Sequence, residues 1–135
     1  MKLLLNIDVE DLPKAIAFYA QAFDLNTGRR LGDGIVEMLG ASVPVYLLAK
    51  PPGSKASALS NATRNYDRHW TPIHFDIVVD QIETAVEKAL KAGATQERPV
   101  QTNAWGKLAL MSDPFGNGFC LVQFIGRGYD EIAVP

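Results

Sequence analysis

The chain has 135 residues, of which 47% are apolar and 21% charged, and its formal net charge at neutral pH is −2. This length allows one compact domain with a buried core. The weak negative charge and the absence of a basic stripe argue against a nucleic-acid partner. One cysteine excludes an internal disulfide framework, and no segment is typical of export or membrane insertion, so we expect a cytoplasmic protein.

The first fifty residues predict a strand, a helix and three further strands. Apolar and polar side chains alternate over residues 2–9, as in a strand with one buried face. Asp11 is typical of a helix N-cap. An amphipathic helix of about three turns follows, since apolar residues recur at helical spacing at Leu12, Ile16, Tyr19 and Phe23. Three strands are predicted at residues 25–31, 35–39 and 43–50.

The second half predicts the same elements in the same order. A strand over residues 74–80 places His74, Asp76 and Val78 on one face, because side chains alternate along a strand. Asp80 is predicted to cap the next helix, with Glu83 as its capping partner. That helix covers residues 81–92 and ends at Gly93, and three strands follow at residues 95–102, 107–112 and 118–125.

The two halves are related by a shift of 70 residues, as between Leu12 and Ile82, which also sets Leu4 against His74 and Asn6 against Asp76. This repeat predicts an α+β fold of two tandem βαβββ modules in a single domain. Module one covers residues 1–50, a connecting loop residues 51–72, module two residues 73–125 and a C-terminal tail residues 126–135.

The connecting loop is longer than most loops of a compact domain, which suggests a role of its own. It combines basic and aromatic side chains: Lys55, Arg64, Tyr66, Arg68, His69 and Trp70. Two interpretations stay open for it, a solvated linker or a lid that offers cations and rings to a ligand. The tail likewise either closes a cavity or docks on the outside.

Three short motifs accompany the duplication: Val9-Glu10-Asp11-Leu12 leading to Phe18-Tyr19, Trp105-Gly106 before a strand, and Asp113-Pro114-Phe115-Gly116-Asn117 before the last strand. Together they resemble the vicinal oxygen chelate superfamily of glyoxalase I, bleomycin-resistance proteins and extradiol dioxygenases. The resemblance implies an open, U-shaped, eight-stranded half-barrel with a cleft. It also implies a homodimer and, in many members, a divalent metal in the cleft.

The metal positions that the resemblance implies fall on Leu4, about Tyr46, His74 and Cys120. Only His74 matches the ligands of metal-dependent relatives, so we expect no metal cofactor; a divalent metal is the alternative. Asn6, Asp8 and Asp76 share the side of the sheet on which His74 lies and leave open a different metal site.

The polar residues of the expected cleft are the candidate site. The predicted ligand-binding residues are Asn6, Tyr46, Trp70, His74, Asp76, Trp105, Lys107 and Cys120. His74, Asp76 and Cys120 are also the candidate catalytic residues: Asp76 would orient His74 as a general base, and Cys120 would be a nucleophile if its pKa were lowered. For each of the three the alternative is a structural role in the interior.

Three functions remain open at this point. The preferred one is a bleomycin-resistance-like protein that binds a small aromatic or anionic ligand between the modules without a metal. The second is a divalent-metal-dependent lyase or isomerase of the glyoxalase type, or a dioxygenase. The third is a non-catalytic dimerisation or regulatory domain with an empty cleft.

Overall fold

The computed structural model describes residues 1–135, and its N-terminal half forms one βαβββ module. The elements of this first module are β1 (Leu5–Val9), α1 (Leu12–Phe23), β2 (Asn26–Leu31), β3 (Ile35–Leu39) and β4 (Val45–Ala49). Its strands form a sheet in the order β1-β4-β3-β2, with β1 parallel to β4 and the other pairs antiparallel. Edge strand β1 therefore has only one partner.

The second module repeats this arrangement with one extra strand. Its elements are β5 (Phe75–Val78), α2 (Ile82–Ala92), β6 (Thr95–Gln96), β7 (Gln101–Asn103), β8 (Gly106–Ser112) and β9 (Gly118–Phe124). The sheet order is β5-β9-β8-β6, and β7 also pairs with β8. The strand predicted at residues 95–102 is thus divided in two, and Pro99, which has no N–H to donate, lies in the gap.

The α+β class and the doubled βαβββ order are confirmed. The strand registers agree with the internal repeat, since Asn6 pairs with Tyr46 across β1 and β4, and Asp76 pairs with Cys120 across β5 and β9. The two sheets stay open and no strand of one pairs with a strand of the other. Neither helix is long and apolar enough to cross a bilayer.

Helices α1 and α2 pack against each other and join the modules through one hydrophobic core. The ring of Phe23 on α1 meets Phe119 on β9 edge to face, with 5.4 Å between centroids, and Phe75 stacks on the same Phe119 at 6.0 Å. Each sheet thus has a helix-facing side and an opposite side, which we call its open face. Alternation places Ile7 and Val9 in the core and leaves their neighbours on β1 for the open face.

The two helices begin in different ways. Asp11 caps α1 as predicted, because its side chain accepts a hydrogen bond from Lys14 N at 2.9 Å. The prediction that Asp80 caps α2 is wrong: the N-cap is Gln81, whose side chain makes no capping bond. The N–H of Ile82 instead donates to Oε1 of Gln123 on β9 at 2.9 Å. Gly93 ends α2 at φ 114°, as predicted.

The turn between β8 and β9 ties the second module to the first. The buried carboxylate of Asp113 accepts hydrogen bonds from Tyr19 Oη at 2.7 Å, Phe115 N at 2.8 Å, Asn117 N at 2.9 Å and Asn117 Nδ2 at 3.0 Å. Asn117 Nδ2 also donates to the carbonyl of Asp8 on β1 at 3.3 Å. A Cβ at Gly116 would lie 2.0 Å from the carbonyl oxygen of Asp67, so only glycine fits there.

The connecting loop packs on both modules, and most of its polar groups are paired within the chain. Arg64 Nε donates to Asp8 Oδ2 at 2.6 Å, Tyr66 Oη donates to the carbonyl of Lys50 at 2.6 Å, and Arg68 pairs with Glu97. These arginines are therefore engaged by carboxylates of the chain itself. The side chain of Arg68 is nevertheless 43% exposed, so the choice between a solvated linker and a lid stays open for this loop.

The C-terminal tail turns back onto the second sheet through a short 3-10 helix, Gly128–Glu131. The ring of Tyr129 lies 4.8 Å from that of Phe124 and 5.1 Å from that of Trp105. Phe124 follows Cys120 and Val122 on the same side of β9, so the tail docks at one end of the open face of the second sheet.

Candidate functional site

Several buried side chains do not belong to the hydrophobic core. Tyr46, Cys120 and Val122 are at most 9% exposed, yet they lie outside the core cluster because they sit on the open faces. The carboxylate of Glu37 is buried there as well, at 5% exposure. The open faces thus carry buried polar groups outside the hydrophobic core, which makes them the place to look for a binding site.

On the second sheet, three chemically active side chains converge. His74 lies directly before β5, Asp76 is on β5, and Cys120 is its register partner on β9. Nε2 of His74 lies 3.4 Å from Oδ1 of Asp76, and the ligand atoms of all three residues lie within 4.8 Å of one another. The side chains of His74 and Asp76 are 58% and 37% exposed, whereas Cys120 is buried.

The thiol of Cys120 is not activated. Burial, followed by the charge and the hydrogen bond of Asp76, raises the pKa of Cys120 to about 11. At neutral pH the residue is therefore a protonated thiol, and the lowered pKa on which a role as nucleophile depended is not found. The role of Asp76 in orienting His74 as a base stays a prediction, although the two side chains are close enough to interact.

This cluster also fits a divalent metal by donor chemistry. Imidazole nitrogen, carboxylate oxygen and thiolate sulfur are the three donor types that bind zinc, and three protein donors with one open position are typical of catalytic zinc sites. Two of the metal positions that the resemblance implies, His74 and Cys120, belong to this cluster. The structure adds Asp76, two residues beyond His74, which those positions did not include. Whether a metal binds stays a prediction in either direction.

On the first sheet, the open face has a different polar cluster made by Glu37, Arg29 and Tyr46. Glu37 accepts hydrogen bonds from Arg29 N at 3.2 Å, Arg29 Nε at 2.9 Å, Arg29 Nη2 at 2.6 Å and Tyr46 Oη at 2.8 Å. A β-bulge between Thr27 and Arg30 directs Arg29 toward this carboxylate. A Cβ at Gly28 would lie 2.7 Å from Glu37 Oε2, so glycine leaves the space that the carboxylate occupies.

The electrostatics of this first cluster follow from its hydrogen bonds. Arg29, and then Tyr46, lower the pKa of Glu37 to about 2, so the carboxylate is ionised throughout the physiological range. The same contacts raise the pKa of Arg29 and that of Tyr46, in both cases chiefly through the hydrogen bond to Glu37. Tyr46 is therefore a neutral phenol and a poor metal ligand, as expected from the sequence.

The two open faces carry these groups at equivalent registers. Across the first sheet the row reads Asn6 on β1, Tyr46 on β4 and Glu37 on β3. Across the second sheet the corresponding row reads Asp76 on β5, Cys120 on β9 and Leu110 on β8. The repeat thus places different chemistry at the same geometric position of each module.

The remaining predicted site residues lie elsewhere. Lys107 belongs to the helix-facing side of β8, with Ala109 and Met111, and its Nζ pairs with Glu83 Oε1 on α2 at 2.5 Å. The structure thus places it away from the open faces, and its role in ligand binding stays a prediction. Trp105 packs into the aromatic cluster of the tail.

Trp70 has a side chain outside both polar clusters and is 82% exposed. Leu4 is 54% exposed, just before β1. The site residues predicted from the sequence did not include Arg29 and Glu37. A glutamate between the apolar residues of β3 is the signal that would have identified the pair.

Comparisons with known proteins agree on the fold. The model of the glyoxalase-like domain family matches residues 5–122. The uncharacterized protein Mb0911c of Mycobacterium bovis is 28% identical over 92% of this chain and 84% of its own length. A glyoxalase/bleomycin resistance protein/dioxygenase family enzyme of Burkholderia phytofirmans superposes with a TM-score of 0.68 at 18% identity, covering 90% of this chain and 97% of its own. The fosfomycin resistance protein FosX of Listeria monocytogenes gives 0.70 at 15% identity, with 98% of each chain covered.

Proposed function

The chain belongs to the glyoxalase-like domain family of the vicinal oxygen chelate superfamily, and from that premise we propose that it binds a small molecule in a cleft shared by two copies. The observation that carries the proposal is the matched pair of open faces. Each has buried groups outside the core and a polar row at the same register. Two such faces, one from each chain, would enclose a ligand that neither encloses alone.

The surface around the first strand of each module supports a dimer. Leu3 before β1 and Ile73 before β5 occupy equivalent positions and are 71% and 83% exposed. Val78, on the open face of β5, is 61% exposed. Strands β1 and β5 are both edge strands with one unpaired side. A twofold dimer that places the first module of one chain beside the second module of its partner covers these apolar groups and both edges.

The His74, Asp76 and Cys120 cluster is the proposed polar contact for the ligand. His74 and Asp76 keep unused hydrogen-bonding capacity on an otherwise apolar surface that includes Val78 and Val122. A few polar groups on apolar walls are the usual composition of small-molecule sites. We propose binding without a reaction, because Cys120 is a protonated thiol.

The oligomeric state tests the shared cleft directly. We expect sedimentation equilibrium to give a dimer for the wild type and a monomer for Val78→Lys, because the introduced charge lies on the open face. Leu90→Lys is the matched control, since Leu90 is a comparable exposed apolar residue, 42% exposed, on α2. A wild-type monomer at high micromolar concentration contradicts the shared cleft.

Ligand binding is tested by thermal shift against aromatic and anionic metabolites and glycopeptide drugs. A ligand that binds only the folded state raises the melting temperature by mass action. We expect His74→Ala and Asp76→Asn to abolish the shift. Asp80→Asn, an exposed carboxylate just beyond the end of β5, should leave it unchanged. The absence of a shift with every compound favours the third function, a dimerisation or regulatory domain.

A metal-dependent form of the same site is a second candidate, favoured by the convergence of three donors within 4.8 Å. When bound, a zinc-class ion would polarise a ligand carbonyl as a Lewis acid. The chain would hold it through His74, Asp76 and Cys120. Equilibrium dialysis against zinc with elemental analysis separates the candidates: one ion per chain, lost in His74→Ala and Cys120→Ser, establishes the metal form, and no retained ion removes it.

A further inference from the structure

The guanidinium of Arg29 has donors that the chain does not use. An arginine side chain carries five N–H groups. Nε and Nη2 donate to Glu37, and Nη2 also donates to Tyr46 Oη at 3.1 Å, whereas Nη1 has no acceptor in the chain. The side chain is 69% exposed although three hydrogen bonds hold it in place. Its Nη1 edge is therefore both oriented and open to solvent.

The partner carboxylate is already saturated. Both oxygens of Glu37 accept two hydrogen bonds each, three of the four from Arg29 and one from Tyr46. Glu37 is also only 5% exposed and lies beneath the guanidinium. A ligand on this face would thus contact the positively charged guanidinium of Arg29, and the carboxylate of Glu37 would hold that guanidinium in one orientation.

The fold does not require this ion pair. The equivalent register position of the second sheet is Leu110, opposite Cys120, just as Glu37 is opposite Tyr46. The same βαβββ module is therefore built with an apolar residue there. Because an apolar pair of similar volume often stabilises a protein as well as a buried ion pair does, stability alone gives no reason for the charged pair.

We propose that Arg29 anchors the anionic group of the ligand, a carboxylate or a phosphate-type group, through its Nη1 edge. Glu37 and Tyr46 are positioning residues, because they touch the guanidinium and leave the anion to Arg29. The inference rests on the proposed function, since it takes the open faces as the ligand site. It adds the chemical class of the ligand and a contact on the first sheet. This contact is a cationic donor, whereas the cluster on the second sheet includes the carboxylate of Asp76.

The test is an NMR titration of the arginine Nε–H and backbone amide signals with three probes that each carry one phenyl ring. Benzoate carries a carboxylate, phenyl phosphate carries a phosphate, and benzyl alcohol is a neutral control. We expect saturable shifts of the Arg29 signals with one or both anions and none with benzyl alcohol. The stronger anion identifies the group that the site prefers. No saturable shift with either anion overturns the inference.

Matched variants assign the effect to Arg29. Arg29→Gln should weaken anion binding at least about tenfold, since it removes a charge-assisted contact, while Arg29→Lys should retain part of it. Arg30→Gln is the control, because Arg30 is the neighbouring exposed arginine and is not bonded to Glu37. Should Arg29→Gln unfold the protein, the double variant Arg29→Leu with Glu37→Leu reproduces the Leu110 arrangement and should fold without binding anions.

A purely structural pair gives a different pattern. In that case Arg29→Gln lowers stability while anion affinity stays unchanged, or Arg29→Gln and Arg30→Gln weaken binding equally; either result overturns the inference. The variant His74→Ala distinguishes a failure of the Arg29 inference from a failure of the proposed function. If His74→Ala abolishes binding and Arg29→Gln does not, the open face is the ligand site and Arg29 is not its anchor.

Discussion

Asp113 and Asp76 are both carboxylates of the second module, but only Asp113 has its hydrogen-bonding capacity filled by donors of the chain. Asp113 is 4% exposed and accepts four hydrogen bonds from Tyr19, Phe115 and Asn117. Asp76 lies on the open face with a side chain 37% exposed, near His74 and Cys120. Asp113 joins the two modules, whereas Asp76 is accessible to solvent.

The difference separates polar groups that build the fold from those available for a ligand. A buried acceptor with all its donors stabilises the packed state, and losing it leaves those donors unsatisfied. An acceptor with spare capacity on a half-enclosed surface contributes little to stability and can bind a ligand or a cation. Substitutions at the two kinds of position should therefore have different effects on stability and binding.

The largest effect is expected for Asp113→Ala. The change leaves the hydroxyl of Tyr19 and the N–H groups of Phe115 and Asn117 without their acceptor in a buried junction. We expect the free energy of unfolding to fall by about 3–5 kcal/mol, measured by denaturant titration. Asp76→Ala should change it by only about 0.5 kcal/mol. Equal losses in the two variants would remove the distinction.

The next effect concerns thiol reactivity on the open face. Because the pKa of Cys120 is raised from 9.0 to about 11, alkylation by iodoacetamide at pH 8 should be about 100-fold slower than for an unstructured cysteine. Asp76→Asn should accelerate it, since the charge of Asp76 contributes to the raised pKa. Asp80→Asn should not. A rate like that of a free thiol would show that Cys120 is neither buried nor beside a carboxylate.

A smaller effect is expected for Tyr19→Phe at the junction. Loss of one buried hydroxyl donor to Asp113 should cost about 1–2 kcal/mol at neutral pH. Burial first, and then Asp113, raise the pKa of Tyr19 well above 10.0, so the folded state keeps a proton that the unfolded state loses. The resulting stability is complete below pH 10 and declines as the pH rises further.

Denaturation curves at neutral and alkaline pH check this prediction. The wild type should lose stability above pH 10 more steeply than Tyr19→Phe, which has no phenol at this position. Parallel alkaline declines in the two proteins would mean that Tyr19 does not retain its proton in the folded state.

The smallest effect is expected for Lys107→Ala. This residue pairs with Glu83 on the helix-facing side, away from both open faces. Ligand affinity, measured by titration with the compound that gives the largest thermal shift, should stay within about twofold of the wild type, because the site loses no contact. A large loss of affinity would show that Lys107 contributes to ligand binding.

The helices and the repeat were largely predictable. Apolar spacing from Leu12 to Phe23 gave α1 as observed, and Gly93 ended α2 as expected, because helical periodicity and an αL glycine are local signals. The cap of α2 was not predictable in the same way. Its donor is satisfied by Gln123, which is 41 residues away in sequence and close only after β9 has folded beside the helix.

The site was predictable in part. The alternation of side chains along a strand places His74 and Asp76 on one face. The same alternation puts Lys107 on the side of Ala109 and Met111, which are core residues. The proximity of Cys120 depends on the register between two strands. Arg29 reaches its partner through a β-bulge; Gly28 inside β2 is a local signal of such an irregularity, but it does not identify Glu37 as the partner.

The sequence alone determined the number of modules, the order of their elements and the side on which most residues lie, because these depend on periodicity and on residues that start or stop helices. Tertiary structure decided which side chains meet: His74 with Cys120, Arg29 with Glu37, and Tyr19 with Asp113. Such contacts join residues from different elements, so their distances follow from register and packing, and no local pattern records them.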